Sequence, residues 1–382
     1  MHIKKTLDSL NPHHSPWSIS HISQRWQTIT LACPMLWSHI ALDLDQYETG
    51  FSDGLYMFRV GLYLKRPREC DLSISLWSNY CVSEHSVLGL LKATIPQWTD
   101  LTINLCPESI KYLTKNSFPV LQRFEINSLI KRKNIFNYHI LEIKSYMLQN
   151  FAFSTQSTTQ CHHCVRVLRQ LTSAKRLILR VHKMNNLGLM DRAIIMPCVE
   201  RLEFKEKKCE GSMARLFNAL RLPSLTFLSL MFTKASRSTF PTRFEGSATL
   251  MSLHINCDLG HSDNTKLLLR FLTLTPHIML LRLSTTIIPD DMLCGLTLAE
   301  GKKKNSLLLS LHTLEIAPSI PECDVKMFIR MPESRYESGS PGDCRRLERL
   351  QFEQPGEFAL LDLEDQERWE TLCRSLDVFY VF

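Results

Sequence analysis

One phrase of apolar positions returns along most of this chain. It is an apolar residue, two variable residues, an apolar residue, one variable residue and a last apolar residue. Leu121, Phe124 and Ile126 spell it, as do Val199, Leu202 and Phe204. It comes back as Leu225, Leu228 and Leu230, as Leu250, Leu253 and Ile255, and as Ile278, Leu281 and Leu283. Leu311, Leu314 and Ile316 carry it again, followed by Leu347, Leu350 and Phe352. Shorter forms occur at Leu101 with Ile103 and at Leu177 with Leu179. The middle apolar residues fall at 101, 124, 177, 202, 228, 253, 281, 314 and 350, giving steps of 23, 53, 25, 26, 25, 28, 33 and 36. The step of 53 is about twice the others, so one degenerate unit is expected near residue 150.

The apolar, variable, apolar ending is the two-residue period of a strand with one buried face. A strand alone cannot bury that face, but stacking the same strand from the next unit builds a parallel ladder whose back is covered by the return segments. The returns read as helices. Residues 265–274 are strongly apolar, Ser212 is suited to cap the segment after it, and Val165, Leu168 and Leu171 are helix-compatible. Pro197, Pro223 and Pro276 fall between helix and strand, where a break is tolerated. A repeat of this length and phrase resembles the leucine-rich repeats. The resemblance implies an α/β solenoid, a parallel strand ladder with helical returns, and a binding role. Such repeats usually carry Asn or Cys three residues after the strand. Here those places hold Cys106, Leu129, His182, Lys207, Thr233, Asp258, Thr286, Ser319 and Pro355, so the repeats are expected to be irregular.

Residues between the inward apolar positions would face the concave side of such a ladder. Arg123, Glu125, Ile178, Arg201, Glu203, Phe227, Met231, His254, Leu280 and Arg282 form the expected partner face, for a protein target that the sequence does not identify. An aromatic residue rimmed by arginines is the usual composition of an interface hot spot. Ile178, Phe227, Met231 and Leu280 are expected to be exposed unless loops or the next repeat cover them. Arg123 with Glu125, and Arg201 with Glu203, are expected to pair locally.

The N-terminal part has a different pattern. Ile19, Ile22, Trp26 and Ile29 recur three or four apart, one apolar stripe on a helix of about three turns that Cys33 and Pro34 would end. Met35, Leu36 and Trp37 follow as a second bulky anchor. Residues 58–76 then read as a helix leading to a strand of Leu72, Ile74 and Leu76. Ile22, Arg25, Trp26, Pro34, Leu36, Trp37 and Ile40 resemble the second half of the F-box-like segment of mushroom-type fungal proteins. With Trp17 they would dock a Skp-type linker protein or cap the solenoid. The family's usual Val-Cys pair is here Ile22 and Ser23, and residues 1–14 contain neither the Leu-Pro-x-Glu helix nor the second short helix with which an F-box opens. The resemblance implies a substrate-recognition adaptor of a cullin ubiquitin ligase. The alternative is a ligase-independent repeat scaffold, a degenerate or truncated paralogue.

These readings divide the chain into a flexible leader (1–14), the partial F-box-like segment (15–45), a connecting helix and first repeat strand (46–95), irregular leucine-rich repeats (96–360) and a C-terminal cap helix with tail (361–382).

Composition narrows the chemistry. There are 45 basic and 38 acidic residues, a mild net charge of +7. The short basic runs at 131–133 and 302–304 lack interleaved aromatics, so no nucleic-acid partner is expected. The densest apolar stretch, 267–283, is interrupted by Arg270, His277 and Arg282, so no membrane span is expected. Thirteen scattered cysteines without an opening apolar signal point to reduced thiols in the cytoplasm or nucleus. Cys161, His162, His163 and Cys164 are consecutive, and neighbouring side chains diverge too far to surround one ion, so no metal is expected there. No phosphate loop, nucleophile elbow or other catalytic motif occurs. The expectation is therefore no catalytic residue and no cofactor. Asp362, Glu364, Asp365 and Glu367, beside Arg368, read as a solvated helix face, and residues 331–344 as a mobile loop.

Overall fold

In the computed structural model the described residues are 8–11, 13–47, 53–67, 70–82, 86–114, 116–128, 147–155, 158–160, 167–185, 193–208, 212–232, 240–241, 244, 248–257, 259, 262–285, 287–298, 307–317, 324–337, 346–353 and 362–381. They form two compact units, Met1–Val181 and His182–Phe382. The basic runs and residues 161–164 lie outside the described residues, as do six of the nine Asn/Cys-type positions.

The first unit opens with two short helices, α1 (Trp17–Ser20) and α2 (Gln24–Ala32), and a 3-10 turn at Pro34–Trp37. Strand β1 (His39–Asp43) follows, then helix α3 (Asp53–Lys65), β2 (Leu72–Trp77), α4 (Ser86–Lys92), β3 (Trp98–Asn104) and α5 (Pro107–Thr114). Strands β4 (Arg123–Ser128), β5 (Asn150–Thr155), the short β6 (Thr158–Gln160) and β7 (Arg176–Asn185) complete it, the unit ending within β7. Strands β1, β2, β3, β4, β5 and β7 pair in that order, all parallel. Their apolar residues lie in register, Ile40 on Ile74, Ile74 on Leu101, Leu101 on Phe124, Phe124 on Phe151 and Phe151 on Leu177. All six are buried. Stacking like on like across a parallel ladder buries each strand's apolar face against its neighbour and the returns.

The second unit repeats the scheme with β8 (Ile194–Ile195), β9 (Arg201–Lys208), α6 (Ser212–Ala219), β10 (Leu220–Arg221), β11 (Phe227–Phe232), β12 (Ser252–Asn256) and α7 (Ser262–Thr273). It continues with β13 (Leu280–Ser284), α8 (Asp290–Leu296), β14 (Thr313–Ala317), α9 (Val325–Glu337), β15 (Arg349–Glu353), α10 (Leu363–Ser375) and β16 (Asp377–Val381). Strands β9 and β11 to β16 form a parallel ladder, with Leu202, Leu228, Leu253, Leu281, Leu314 and Leu350 in one buried row. Helices α8, α9 and α10 pack side by side, where Phe328 and Trp369 meet Phe352 of β15 at centroid distances of 5.4 and 5.5 Å. Both units are α/β ladders of the leucine-rich-repeat type. Among the described residues no helix is long and apolar enough to cross a membrane.

Several details differ from the sequence reading. The expected single N-terminal helix is two, because the Ser23 side chain accepts a hydrogen bond from the Trp26 N–H and starts α2 afresh. Residues 8–10 of the expected flexible leader are buried against β1, with the Ser9 N–H donating to the Ala41 carbonyl at 2.8 Å. Residues 331–337, expected in a mobile loop, are the last turns of α9, held there by a fully buried Arg335. The tail after α10 adds a strand, β16, to the ladder. Of the acidic run, Asp362 caps α10, and Asp365 is buried between Arg368 at 3.0 Å and Lys326 at 3.2 Å rather than solvated.

Candidate functional site

Two surfaces stand out, one on each unit. On the second unit, parallel register puts Arg201 of β9 beside Phe227 of β11, and Glu203 beside Ser229. Ser229 lies beside His254 of β12, and His254 beside Arg282 of β13. These residues occupy the alternate positions of strands whose other face is core. The Arg201 guanidinium lies 3.8 Å from the centre of the Phe227 ring, and His254 meets the same ring edge-on at 4.6 Å. Arg201 also donates to Glu203 at 3.0 Å, and Arg282 pairs with Glu315 of β14 at 3.5 Å. Burial, reinforced by Arg282 and Arg201 and opposed by Glu203, pushes the His254 imidazole down to about 4. At neutral pH the cluster is thus a neutral imidazole and an aromatic ring between two arginines that have acidic neighbours.

Phe227 is therefore half-buried, the alternative in which a neighbouring repeat covers it. Among the described residues its cover is Arg201 of the preceding strand and His254 of the next, on the same sheet face. Leu280, between Ser252 and Thr313, and Met231, between Lys205 and Asn256, are half-buried for the same reason. Glu315 belongs to this constellation although the sequence did not single it out as a site residue. The remaining expected face residues lie on the first unit. Arg123 pairs across strands with Asp100 at 3.3 Å, not with Glu125, which accepts from the Asn127 side chain at 2.9 Å. Ile178 on β7 is half-buried beside Ala152.

The first unit separates the N-terminal set into two groups. Trp37 is fully buried, its indole N–H donating to the Thr30 carbonyl at 2.9 Å. It meets Trp17 and Tyr63 edge-on at 5.2 and 5.0 Å. The Arg66 guanidinium stacks over both indoles, at 3.8 Å from Trp37 and 4.5 Å from Trp17. Burial pushes the Tyr63 hydroxyl up to about 12 and lowers Arg66, so this aromatic cage is poorly hydrated. The second group faces outward. Ile22 is 67% exposed, Trp26 47%, Met35 70% and Leu36 40%, and Arg25 is exposed with them. Ile29 and Leu31 are exposed too, and within α2 only Thr30 is buried. Pro34 is half-buried and opens the 3-10 turn. Ile29, Leu31 and Met35 were not picked out as site residues, although Ile29 continues the stripe of Ile22 and Trp26.

No protein-family model and no curated protein matches this sequence. Among solved structures the chain is similar to the leucine-rich repeat-containing protein LegL7 from Legionella pneumophila. The two share 13% identity over 72% of this chain and 82% of that one, with a TM-score of 0.37. It is also similar to a protein from Bacteroides fragilis, with 11% identity over 82% of this chain and 75% of that one, and a TM-score of 0.38.

Proposed function

We propose that this chain is a protein-binding scaffold with two working surfaces and no bond-making chemistry of its own. In this reading the exposed apolar face around α2 docks a Skp-type linker protein of a cullin ubiquitin ligase, and the strand face of the second unit holds the target. One observation carries it. Within a single segment Trp17 and Trp37 are spent on anchoring, while Ile22, Trp26, Met35 and Leu36 are left in solvent on and beside one short helix. An exposed apolar set of this kind marks an interaction surface. The Arg201, Phe227 and Arg282 cluster supports the target-binding half on composition, since aromatic and arginine side chains carry most interface energy.

The test is a pull-down of purified Skp-type linker protein with the full chain and with Trp26→Ala. Retention by the wild type and loss of at least about tenfold in the variant is the expected outcome for a hot-spot residue. No retention, or retention indifferent to Trp26, overturns the adaptor reading. The ligase-independent scaffold would then stand, favoured by the Arg201, Phe227, His254 and Arg282 cluster on the strand face of the second unit.

A further inference from the structure

We propose that Cys81, Cys106 and Glu108 of the first unit form a binding site for a thiophilic divalent cation of the zinc class. Cys81 lies on the segment after β2, and Cys106 on the turn between β3 and α5. Adjacent repeats therefore bring the two thiols to the same edge of the ladder. One ligand atom from each of the three residues lies within 4.8 Å of the others. Zinc binds thiolate sulfur at about 2.3 Å and carboxylate oxygen at about 2.1 Å, so tetrahedral ligands sit roughly 3.5–4 Å apart. The three side chains need to close by only about an ångström. Cys81 and Glu108 are exposed, which leaves a route for the ion and a place for a water as fourth ligand, while Cys106 is buried at 5% exposure.

The site is held together by Ser109, which is fully buried. Its hydroxyl accepts from the Val82 N–H at 3.0 Å and lies 3.0 Å from the Cys106 sulfur and 4.0 Å from the Cys81 sulfur. The Ser109 N–H donates to the Cys106 sulfur at 3.4 Å. One side chain thus fixes both segments relative to each other, the support that a preorganised metal site requires. Cys106 alone has an ordinary explanation, since it stands at the repeat's Asn/Cys position. That position does not explain why Cys81 and Glu108 converge on the same sulfur.

Cadmium is the probe, because cadmium thiolates absorb in the ultraviolet where the reduced protein does not gain signal. The reduced full chain is titrated in a Cys161→Ser/Cys164→Ser background, which removes the consecutive cluster. The expected result is one tight equivalent with thiolate absorption that zinc displaces. Cys81→Ser, at an exposed position, should abolish it without lowering Tm, and Glu108→Gln should weaken it about tenfold or more. The proposal is overturned if the parent shows no thiolate absorption, or if either variant, folded as the parent, binds cadmium as tightly as the parent.

Discussion

At the scale of single residues, His254 sits in an environment unlike solution. It is half-buried among Arg201, Arg282 and Phe227, with Glu203 the opposing charge, and its proton release is pushed down from 6.5 to about 4. The folded protein therefore disfavours the charged form. Above pH 6.5 both folded and unfolded imidazoles are neutral, and the whole contribution is present. As pH falls from 6.5 to about 4 the unfolded chain takes up a proton that the folded one refuses, and stability is lost through that window. The site is half-buried, so solvent screening reduces the effect to about 1–2 kcal/mol. Melting curves between pH 7 and pH 4.5 are expected to fall less steeply for His254→Asn than for the wild type. Parallel curves for the two proteins would show that His254 feels no such field.

At the scale of elements, α9 shows how a repeat is locked to its predecessor. Arg335 is fully buried and donates to the carbonyls of Leu296, Leu308 and Leu307 at 2.6, 3.0 and 2.8 Å. These carbonyls lie at the end of α8 and in the approach to β14. Leu308 has φ of 52°, a left-handed conformation that is strained for leucine and is held here by its own burial and by the Arg335 contact. Removing the guanidinium would leave two buried acceptors and one part-buried one without their partner. Arg335→Ala is therefore expected to lose about 3 kcal/mol or more, read as a drop in urea midpoint. A loss under about 1 kcal/mol would mean that water replaces the side chain.

No sequence pattern announces this lock, because a lone arginine after Pro332 reads as loop material. The strands, by contrast, were legible in most units where three apolar residues kept their spacing, with β1 and β5 the exceptions. The unit expected near residue 150 is β5, and it carries the full phrase as Leu148, Phe151 and Phe153, all buried. Strand β1 carries the phrase as Trp37, Ile40 and Leu42, all buried. Its first position was hidden because Trp37 also fitted the docking motif. The partner face was legible as a row but not as a geometry. The sequence shows that Phe227 and His254 are outward, yet not that Arg201 covers the ring.

At the scale of the whole molecule, two tryptophans eleven positions apart separate holding the fold from offering a surface. In repeat ladders each unit is stabilised chiefly by its neighbours, so damage at an end is felt most by the terminal strands. Trp37 sits at the β1 end of the first ladder, packed on Trp17, Tyr63 and Arg66. Tyr63 in turn donates to the His39 carbonyl at 3.1 Å, and the Ser73 N–H to the Ser38 carbonyl at 2.9 Å. Trp37→Ala is expected to remove about 3–5 kcal/mol of local stability. Hydrogen exchange should then quicken first in β1 and β2 and least in β4 and β5. Trp26→Ala should leave that pattern unchanged, because its side chain is about half exposed whereas Trp37 is fully buried. If α2 docks a linker protein as proposed, both variants lose it, but for different reasons. Trp37 holds α2 through the Thr30 carbonyl, whereas Trp26 would touch the partner itself. A Trp26 variant that melts or exchanges like the Trp37 variant would make α2 part of the fold rather than its docking surface.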